Sequence, residues 1–540
     1  MKNKLINKIA LGTAQFGLDY GIANKTGRIT CDDVYEILDY AFDHGIDTVD
    51  TAYEYGESEN ILGDFFQARK MSFELITKLP HLKEFNDTIV QKLFKDSLRK
   101  LKLNQIQGYL VHRFKDFLEY PDVWFTLENL KQQGLIKKIG FSLYRPEELD
   151  LLFERQIQFD IVQFPYSIFD RRFERYLKIL NEKNVEIHVR SVFLQGSVFL
   201  PIEQLPPSFE YNKAHFKRLQ EIVSRESLSI GSCCLNFVLL NPLINKVVIG
   251  VDSLKQLQAN VQAVDSIEEV RRINSELSQL TIEDKNVLVP SRWTDDMKVF
   301  VIIQARMGST RLPGKVLMRI LDKTILEYVV ERVQRAWNIS GVVIATTNDK
   351  KDDPIVEVAK NLGVFVYRGS EYDVLDRYYQ AAKVYKIEHV VRITADCPLI
   401  DPRIIDHIID YYIAVRPDYC SNVHTRTFPN GLDVEVFSFK ALEKVWQRAF
   451  LDSDREHVTR YIRNQGTEFR AVNVEGKKDH SDKRWTLDNP KDFEFIKTVI
   501  EGLYPTNSKF LTDDILEFLK KNPEVEDINR EGILKTYDGQ

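Results

Sequence analysis

The sequence contains little cysteine, no long apolar run and no strong net charge. Five cysteines, none of them in a CxxC pair, occur among 540 residues, which favours reduced thiols in a cytoplasmic protein over a disulfide framework. No apolar stretch approaches the about 18 residues needed to span a bilayer, and the apolar segment near the N-terminus is too short and glycine-broken for a signal peptide. A net charge of -6 provides no general basic field. Neither a membrane partner nor a nucleic-acid partner is therefore expected.

The length and composition predict ordinary globular domains. A hydrophobic content of 44% and a charged content of 29% are typical of soluble folds, and 540 residues are too many for one core. A polar connector, VLVPSRWTDDM, precedes a new apolar strand. It divides the chain into a first domain at 1–290, a linker at 291–297 and a second domain at 298–540. A homodimer is compatible with the sequence, which leaves the oligomeric state open.

The first domain alternates short apolar strands with amphipathic helical stretches. Its strand candidates are KIALGT, DTVDTA, FELITKL, GYLVHRF, KKIGFSL, FDIVQFP, EIHVRSV and KVVIGV. Eight strand–helix units over this length predict an α/β fold of the (β/α)8 TIM-barrel type. A doubly wound open sheet is the alternative, but no GxGxxG motif follows any early strand.

Polar side chains stand at the carboxyl ends of consecutive predicted strands. Asp50 and Tyr55 follow the second strand, Lys78 ends the third and His112 ends the fourth. Because these strand ends converge on one pocket in a TIM barrel, we expect the four side chains to meet. Each residue alone is also compatible with a structural role, such as a hydrogen-bonded histidine or a solvated loop.

This domain resembles the aldo/keto reductases over residues 4–260. The segments that carry the resemblance are DTVDTAYEYGESENILG, ITKL, YLVHR, IGFSLY and IVQFPYSIFDRR. It implies that Tyr55 is the general acid and that Lys78, paired with Asp50, lowers the Tyr55 pKa. His112 would orient the substrate carbonyl. A phenol with a pKa near about 10 is a poor acid at neutral pH unless a cation stabilises its phenolate, so this assignment is chemically reasonable.

The same resemblance implies a nicotinamide cofactor, either NAD or NADP. Ser142 and Gln163 would hold its carboxamide, and Asn260 would contact the adenine. Two positions depart from the family: Arg190 stands where many members stack an aromatic ring on the nicotinamide, and Asp252 lies in a segment without the Lys-Ser pair that holds a 2′-phosphate. The choice between the two cofactors stays open. A barrel that has lost catalysis and serves as a binding or assembly module is the alternative.

The second domain opens with VFVIIQARMGSTRLPGK, an apolar strand followed by a glycine-rich basic loop, and a helical pattern, ILEYVVERVQRA, comes next. This order predicts backbone amides and fixed positive charge that face phosphates. The loop is not of the Walker type, since the spacing of Gly308 and Gly314 differs and Val316 replaces the Ser or Thr that contacts magnesium. Later strands, GVVIATT and HVVRITA, predict an open, mostly parallel α/β sheet that is Rossmann-like.

The segment ARMGSTRLPGK resembles the signature of the CMP-sugar synthetases, and in particular the spore-coat polysaccharide cytidylyltransferase group. The resemblance extends from residue 298 to the end of the chain and implies a GT-A-like nucleotidyltransferase domain. By this resemblance Lys315 meets the α-phosphate of CTP. Three more residues of the loop would bind the triphosphate, namely Arg306, Ser309 and Arg311.

Two carboxylates of the second domain are candidates for a magnesium site. Asp396 in ITADCPL and Asp488 in RWTLDNPKDFEFIK resemble the two metal-binding carboxylates of the same family. Each is also compatible with a role in capping a turn or a helix. Oxygen ligands suit Mg²⁺, and none of the Asp, Glu and His clusters has zinc-ligand spacing.

Together these features predict a bifunctional enzyme of activated-sugar or surface-glycan biosynthesis. The second domain would transfer CMP from CTP, with Mg²⁺, to a sugar, sugar-acid or polyol-phosphate acceptor and release pyrophosphate. The first domain would reduce a carbonyl or oxidise an alcohol with NAD or NADP. The alternative for the second domain is a glycosyltransferase, but that class usually holds its metal with D-x-D, whereas this strand ends Ala395-Asp396-Cys397.

Overall fold

The computed structural model describes residues 2–22, 24, 27–290, 293, 298–309, 311–464 and 468–530. The chain divides into two compact units, Met1–Trp293 and Thr294–Gln540. Of the predicted linker at 291–297, only Trp293 lies within the described residues, so the linker stays a prediction. Trp293 belongs to the first unit, where its Nε1 donates a hydrogen bond to the carbonyl oxygen of Val287 at 2.9 Å.

Eight parallel strands in the described part of the first unit close into a barrel, which confirms the predicted TIM-barrel fold. They are β1 Ile9–Gly12, β2 Thr48–Asp50, β3 Glu74–Leu79, β4 Ile106–Val111, β5 Ile136–Ser142, β6 Ile161–Pro165, β7 Glu186–Arg190 and β8 Lys246–Gly250. Each strand pairs with the next, and β8 returns to β1 with Val247 opposite Ile9. The strand residues are almost all buried, as expected when helices cover the outside of a parallel sheet.

The helices of the first unit alternate with these strands. They are Lys2–Ile6, Ala14–Gly17, Cys31–Asp43, Ser58–Arg69, Asp87–Leu101, Phe114–Glu119, Val123–Gln132, Pro146–Glu154, Leu177–Glu182, Lys213–Arg225, Ile230–Leu239, Leu254–Ala263, Ile267–Leu277 and Lys285–Leu288. Short 3-10 segments lie at Glu174–Tyr176, Leu194–Phe199, Ile202–Gln204, Pro207–Asn212, Val264–Ser266 and Ser278–Leu280.

The helix Asp87–Leu101 illustrates how the sequence specifies an outer helix. Its N-cap Asn86 accepts a hydrogen bond from the backbone N–H of Thr88 at 2.8 Å. Its buried side chains recur at helical spacing, and they are Val90, Phe94, Ser97 and Leu101. Burial of one Phe side chain contributes about 1.5–3 kcal/mol of stability, so this face holds the helix on the barrel.

The second unit contains one open mixed sheet, which confirms the predicted α/β domain. The strands are β9 Val299–Gln304, β12 Gly341–Thr347, β13 Phe365–Gly369, β14 His389–Thr394, β15 Tyr419–Ser421, β16 Glu435–Ser438 and β17 Ala471–Asn473, and a separate hairpin consists of β10 Arg319–Ile320 and β11 Lys323–Thr324. Their order in the sheet is β13-β12-β9-β14-β16-β15-β17. Strands β13, β12, β9 and β14 are parallel, whereas β16 runs antiparallel to both of its neighbours.

Helices cover both faces of this sheet. They are Ile325–Gln334, Asp353–Asn361, Val374–Val384, Pro402–Val415, Phe439–Arg448, Asp452–His457, Arg460–Asn464, Pro490–Leu503, Thr512–Lys521 and Pro523–Asp527, with 3-10 turns at Lys315–Leu317 and Lys350–Asp352. Val301 and Ile303 pack into the core on one face, and Ile302 packs into the core on the other. Within the described residues, no helix combines the length and the apolar character that crossing a membrane requires.

The helix predicted after the basic loop is present as Ile325–Gln334, but it does not follow the loop immediately. A 3-10 turn at Lys315–Leu317 and the hairpin β10–β11 separate the loop from the helix Ile325–Gln334. That helix uses its own capping box, in which the Thr324 side chain accepts from the N–H of Glu327. The N-terminus of this helix is therefore separated from the basic loop by the hairpin.

Candidate active sites

The four catalytic residues predicted for the barrel lie together at the carboxyl ends of β2, β3 and β4. Lys78 Nζ donates to Asp50 Oδ1 at 2.6 Å and lies 5.2 Å from the centre of the Tyr55 ring. The rings of Tyr55 and His112 meet edge to face, with 5.9 Å between their centres. Their positions follow from strand geometry, because parallel strand ends bring distant residues to one opening.

Lys78 and Asp50 form a buried ion pair beneath Tyr55. The ammonium of Lys78 also donates to the carbonyl oxygen of Thr51 at 2.8 Å, and Gln163 Nε2 donates to Asp50 Oδ2 at 2.8 Å. Burial lowers the pKa of Lys78, and the charge of Asp50 opposes that effect. These three hydrogen bonds hold the ion pair in one arrangement.

The surroundings of the Tyr55 hydroxyl favour the neutral phenol. Burial raises its pKa above the ordinary value, the charge of Asp50 raises it further, and Arg190 opposes the shift. That Lys78 lowers the Tyr55 pKa stays a prediction, and in this structure the Lys78 ammonium is paired with Asp50 at 2.6 Å. A neutral phenol beside a buried cation is suited to give a proton to a developing alkoxide.

Glu54 is a functional candidate that sequence reasoning missed. Its Oε2 lies 3.4 Å from His112 Nδ1, and its Oε1 accepts hydrogen bonds from the N–H of His81 and from Arg113 Nη2, both at 3.1 Å. His112 and these partners hold the pKa of Glu54 at about 2. Burial lowers the pKa of His112, which favours a neutral imidazole near neutral pH. The sequence did contain a signal for Glu54, since this carboxylate directly precedes the predicted catalytic residue Tyr55.

Gly17 is a second missed position. A Cβ at Gly17 would overlap the carbonyl oxygen of Tyr55, so only glycine permits this close approach between the helix Ala14–Gly17 and the Tyr55 turn. The sequence offered no signal for it, because the two residues belong to separate elements.

A cavity of about 870 Å³ opens above these residues. It is lined by predicted catalytic and cofactor-binding residues, which are Asp50, Tyr55, His112, Ser142, Gln163 and Asn260. Ser142 and Gln163 are paired in register at the ends of β5 and β6. The volume lies within the range of small-molecule sites, and the amide and hydroxyl groups on its wall fit the carboxamide of a nicotinamide. Asp252 also lines the cavity, and burial raises its pKa.

In the second unit, Lys315 lies between the two predicted metal carboxylates. Its Nζ donates to Asp396 Oδ2 at 2.9 Å, to Asp488 Oδ1 at 3.1 Å and to the carbonyl oxygen of Leu487 at 2.6 Å. Residues that are widely separated in sequence thus form one cluster at the carboxyl end of the sheet.

Backbone and side-chain contacts position both carboxylates. Asp396 follows β14, and its Oδ1 accepts from the Thr394 hydroxyl at 2.6 Å. Asp488 directly precedes Asn489, the N-cap of the helix Pro490–Leu503, so Asp488 itself is free of the capping role. Arg484 Nη2 donates to Asp488 Oδ2 at 2.8 Å. Sequence reasoning missed Arg484, although it stands four residues before Asp488.

The charges of this cluster stabilise one another. Burial alone would raise the pKa of Asp488, but Lys315 and Arg311 outweigh it and hold the pKa below its ordinary value. Burial would lower the pKa of Lys315, but Asp396 and Asp488 raise it. Within the described residues, no three or more His, Cys, Asp or Glu side chains come together in a way that could hold a metal ion. Two carboxylates suffice for Mg²⁺, which takes the rest of its ligands from phosphates and water.

The predicted phosphate-binding residues divide into two places. Arg311 joins the cluster, since its Nη2 donates to Asp488 Oδ1 at 2.7 Å. Arg306 Nη1 instead lies 3.9 Å from Glu371 Oε1, and the Ser309 hydroxyl accepts from the N–H of Leu312 at 3.3 Å within the loop. The structure therefore brings Arg311 and Lys315 to the carboxylates and leaves Arg306 facing another carboxylate.

Comparisons with known proteins assign both units. A model of the aldo/keto reductase family matches residues 8–276, and a cytidylyltransferase model matches residues 300–515. An uncharacterised protein of Methanocaldococcus jannaschii is 40% identical over 45% of this chain and 98% of its own length. The chain is an aldo/keto reductase joined to a cytidylyltransferase. Its cytidylyltransferase part is 33% identical to the spore coat polysaccharide biosynthesis protein SpsF of Bacillus subtilis, over 42% of this chain and 95% of that protein.

The reductase part has a relative of its own. The uncharacterised oxidoreductase YqkF of Bacillus subtilis is 26% identical over 51% of this chain and 94% of that protein. Both predicted family resemblances are thereby confirmed, and the chain combines an oxidoreductase with a nucleotidyltransferase. Both families act on small molecules. Aldo/keto reductases depend on NAD(P), and cytidylyltransferases usually use metal ions.

Proposed function

We propose that the chain is a bifunctional enzyme of activated-sugar metabolism that serves surface-glycan synthesis. Its cytidylyltransferase domain transfers CMP from CTP to a sugar, sugar-acid or polyol-phosphate acceptor and releases pyrophosphate. Its reductase domain interconverts a carbonyl and an alcohol with a nicotinamide cofactor. The position of Lys315 between Asp396 and Asp488 carries the proposal, and the likeness to a spore coat polysaccharide biosynthesis protein supports the setting.

The cytidylyltransferase residues fit an attack at the α-phosphorus. The acceptor oxygen forms a bond to that phosphorus while the bond to the pyrophosphate oxygen breaks, so negative charge moves onto the leaving group. Lys315 exchanges its carboxylate contacts for a phosphate oxygen when the triphosphate arrives, and Arg311 neutralises a second oxygen. Asp396 and Asp488 would hold Mg²⁺, which when bound neutralises phosphate charge and aligns the reacting groups.

The reductase residues fit proton transfer to a carbonyl oxygen. Tyr55, a neutral phenol, donates its proton to that oxygen while neutral His112 fixes the carbonyl by a hydrogen bond. The buried Lys78–Asp50 pair then lies beneath the phenolate that forms. Ser142 and Gln163 would bind the nicotinamide, which when bound supplies or accepts the hydride.

The test of CMP transfer uses the full chain with CTP, Mg²⁺ and a panel of sugar acids and polyol phosphates. We expect pyrophosphate release that depends on the acceptor, and a loss of about 10²–10³-fold in Asp396→Asn and Asp488→Asn. Asp513→Asn is the matched control, since that carboxylate is 81% exposed and pairs only with Arg403 among the described ion pairs. Undiminished release in both site variants, or release only from a nucleotide-sugar donor, would contradict the proposal.

The test of the reductase follows the oxidation of NADH and NADPH with a panel of aldehydes and keto-sugars. We expect Tyr55→Phe to lower kcat by about 10²–10⁴-fold, because it removes the proton donor. Tyr53→Phe is the matched control, since the Tyr53 hydroxyl donates to Asp96 at 3.1 Å and does not line the cavity. Equal activity of the two variants would remove the assignment of Tyr55.

A further inference from the structure

Arg190 is the one Arg or Lys that lines the barrel cavity within the described residues. It ends β7 and is half-buried. Its Nη2 donates to the carbonyl oxygen of Leu143 at 3.1 Å, and its guanidinium carbon lies 3.9 Å from the centre of the Tyr144 ring. In the part of the chain that the structure describes, no carboxylate forms an ion pair with it. Its guanidinium is therefore not in direct contact with either carboxylate of the cavity wall, Asp50 or Asp252.

This charge lies beside the groups that fit the nicotinamide carboxamide. Ser142 and Gln163 are paired in register on β5 and β6, and Arg190 is paired with Pro165 of β6. A ring whose carboxamide is held by Ser142 and Gln163 therefore lies next to the end of β7. The oxidised ring carries a positive charge and the reduced ring is neutral. A guanidinium at this place repels the oxidised ring and has no net charge interaction with the reduced ring.

We propose that Arg190 makes the reductase domain bind the reduced nicotinamide cofactor in preference to the oxidised form. The inference rests on the nicotinamide function proposed above and adds the direction in which the redox reaction runs. Preferential binding of the hydride donor and easier release of the oxidised product favour carbonyl reduction as the direction of use.

The oxidised and reduced cofactors share their adenine, riboses and pyrophosphate. The ratio of their dissociation constants therefore isolates the ring charge from all other contacts. ADP-ribose, which lacks the ring, reports those other contacts alone. If Arg190 instead pairs with the pyrophosphate, its removal weakens the reduced form, the oxidised form and ADP-ribose to the same extent.

The experiment measures dissociation constants on the full chain without substrate. NADH and NADPH are titrated by their fluorescence, and NAD⁺, NADP⁺ and ADP-ribose by displacement of the reduced form. We expect the wild type to bind the reduced form at least about tenfold more tightly. In Arg190→Met that ratio should fall to within about threefold of unity, and Arg190→Lys should keep most of it.

Arg175→Met is the control, because Arg175 is 56% exposed and does not line the cavity. It should leave the ratio unchanged, and retained ADP-ribose binding shows that each variant is folded. A wild-type ratio near unity, an unchanged ratio in Arg190→Met, or an equal loss for all three ligands overturns the inference. Failure of every nicotinamide form to bind the wild type overturns the nicotinamide function itself.

Discussion

Replacing Lys315 by methionine should separate metal binding from catalysis in the cytidylyltransferase domain. The Lys315 ammonium lies 2.9 Å from Asp396 Oδ2 and 3.1 Å from Asp488 Oδ1, so it occupies the space between the two proposed metal ligands. A divalent cation that binds there must displace it. We therefore expect Lys315→Met to bind a divalent cation more tightly without nucleotide, and to transfer CMP more slowly.

The expected magnitude follows from the charges and their burial. At about 3 Å and an effective dielectric of about 20, each contact has a Coulomb energy of about 5 kcal/mol, most of which desolvation cancels. Arg311 and Arg484 still neutralise Asp488 in the variant, so the effect falls mainly on Asp396. We expect a gain in metal affinity of about 1–2 kcal/mol, or about 5- to 30-fold in Kd. The rate should fall by about 10²–10³-fold, because one cation is lost at the phosphate.

The assay is a titration of Mn²⁺ into the full chain, followed by electron paramagnetic resonance of the free ion, together with pyrophosphate release from CTP. Lys323→Met is the matched control, since Lys323 is 31% exposed and pairs with Glu331 beside the hairpin. Weaker metal binding in Lys315→Met, or pyrophosphate release at the wild-type rate, would refute the assignment of this lysine.

Three further predictions concern the reductase domain. Glu54→Gln should lower kcat for carbonyl reduction about tenfold, since about 1.4 kcal/mol of charge-assisted contact to His112 is lost, and an unchanged kcat would contradict this. Gly17→Ala should destabilise the domain by about 2–4 kcal/mol, because its Cβ displaces the Tyr55 carbonyl; calorimetry measures this, and an unshifted Tm would contradict it. Burial would raise the pKa of Glu186, but His188 and Lys138 hold it at about 2. Its stabilisation is therefore present above the ordinary Glu pKa and is lost as the pH falls toward 2, and it amounts to at most about 3 kcal/mol. Urea unfolding of Glu186→Gln should show a deficit near pH 7 that shrinks in acid, and a deficit independent of pH would contradict this.

The strands of the barrel could be predicted because their apolar runs are short and regularly interrupted. Each of the eight predicted segments overlaps an observed strand. The meeting of Asp50, Lys78 and His112 follows from the same reasoning, since the carboxyl ends of parallel strands share one opening. Helix boundaries are harder to predict when several polar residues adjoin. In the helix Cys31–Asp43 the N-cap is Thr30, and Asp32 and Asp33 lie in the first turn.

The residues that were missed depend on contacts between separate elements. A glycine is required at position 17 only because the Tyr55 carbonyl lies against it, and the sequence around Gly17 does not indicate this contact. Arg484 reaches Asp488 across a turn whose conformation is specified by the capping box of the following helix. The hairpin β10–β11 contains two residues in each strand, too few for an alternating pattern to predict it.

The most direct test of the central claim identifies the product at the α-phosphorus. The full chain is incubated with CTP, Mg²⁺ and an accepted sugar acid or polyol phosphate, and the reaction is followed by phosphorus NMR. The account predicts equal amounts of pyrophosphate and a CMP-linked product, both formed about 10²–10³-fold more slowly in Asp396→Asn. Inorganic phosphate as the leaving product, or CMP-linked product in Asp396→Asn at the wild-type rate, would contradict it.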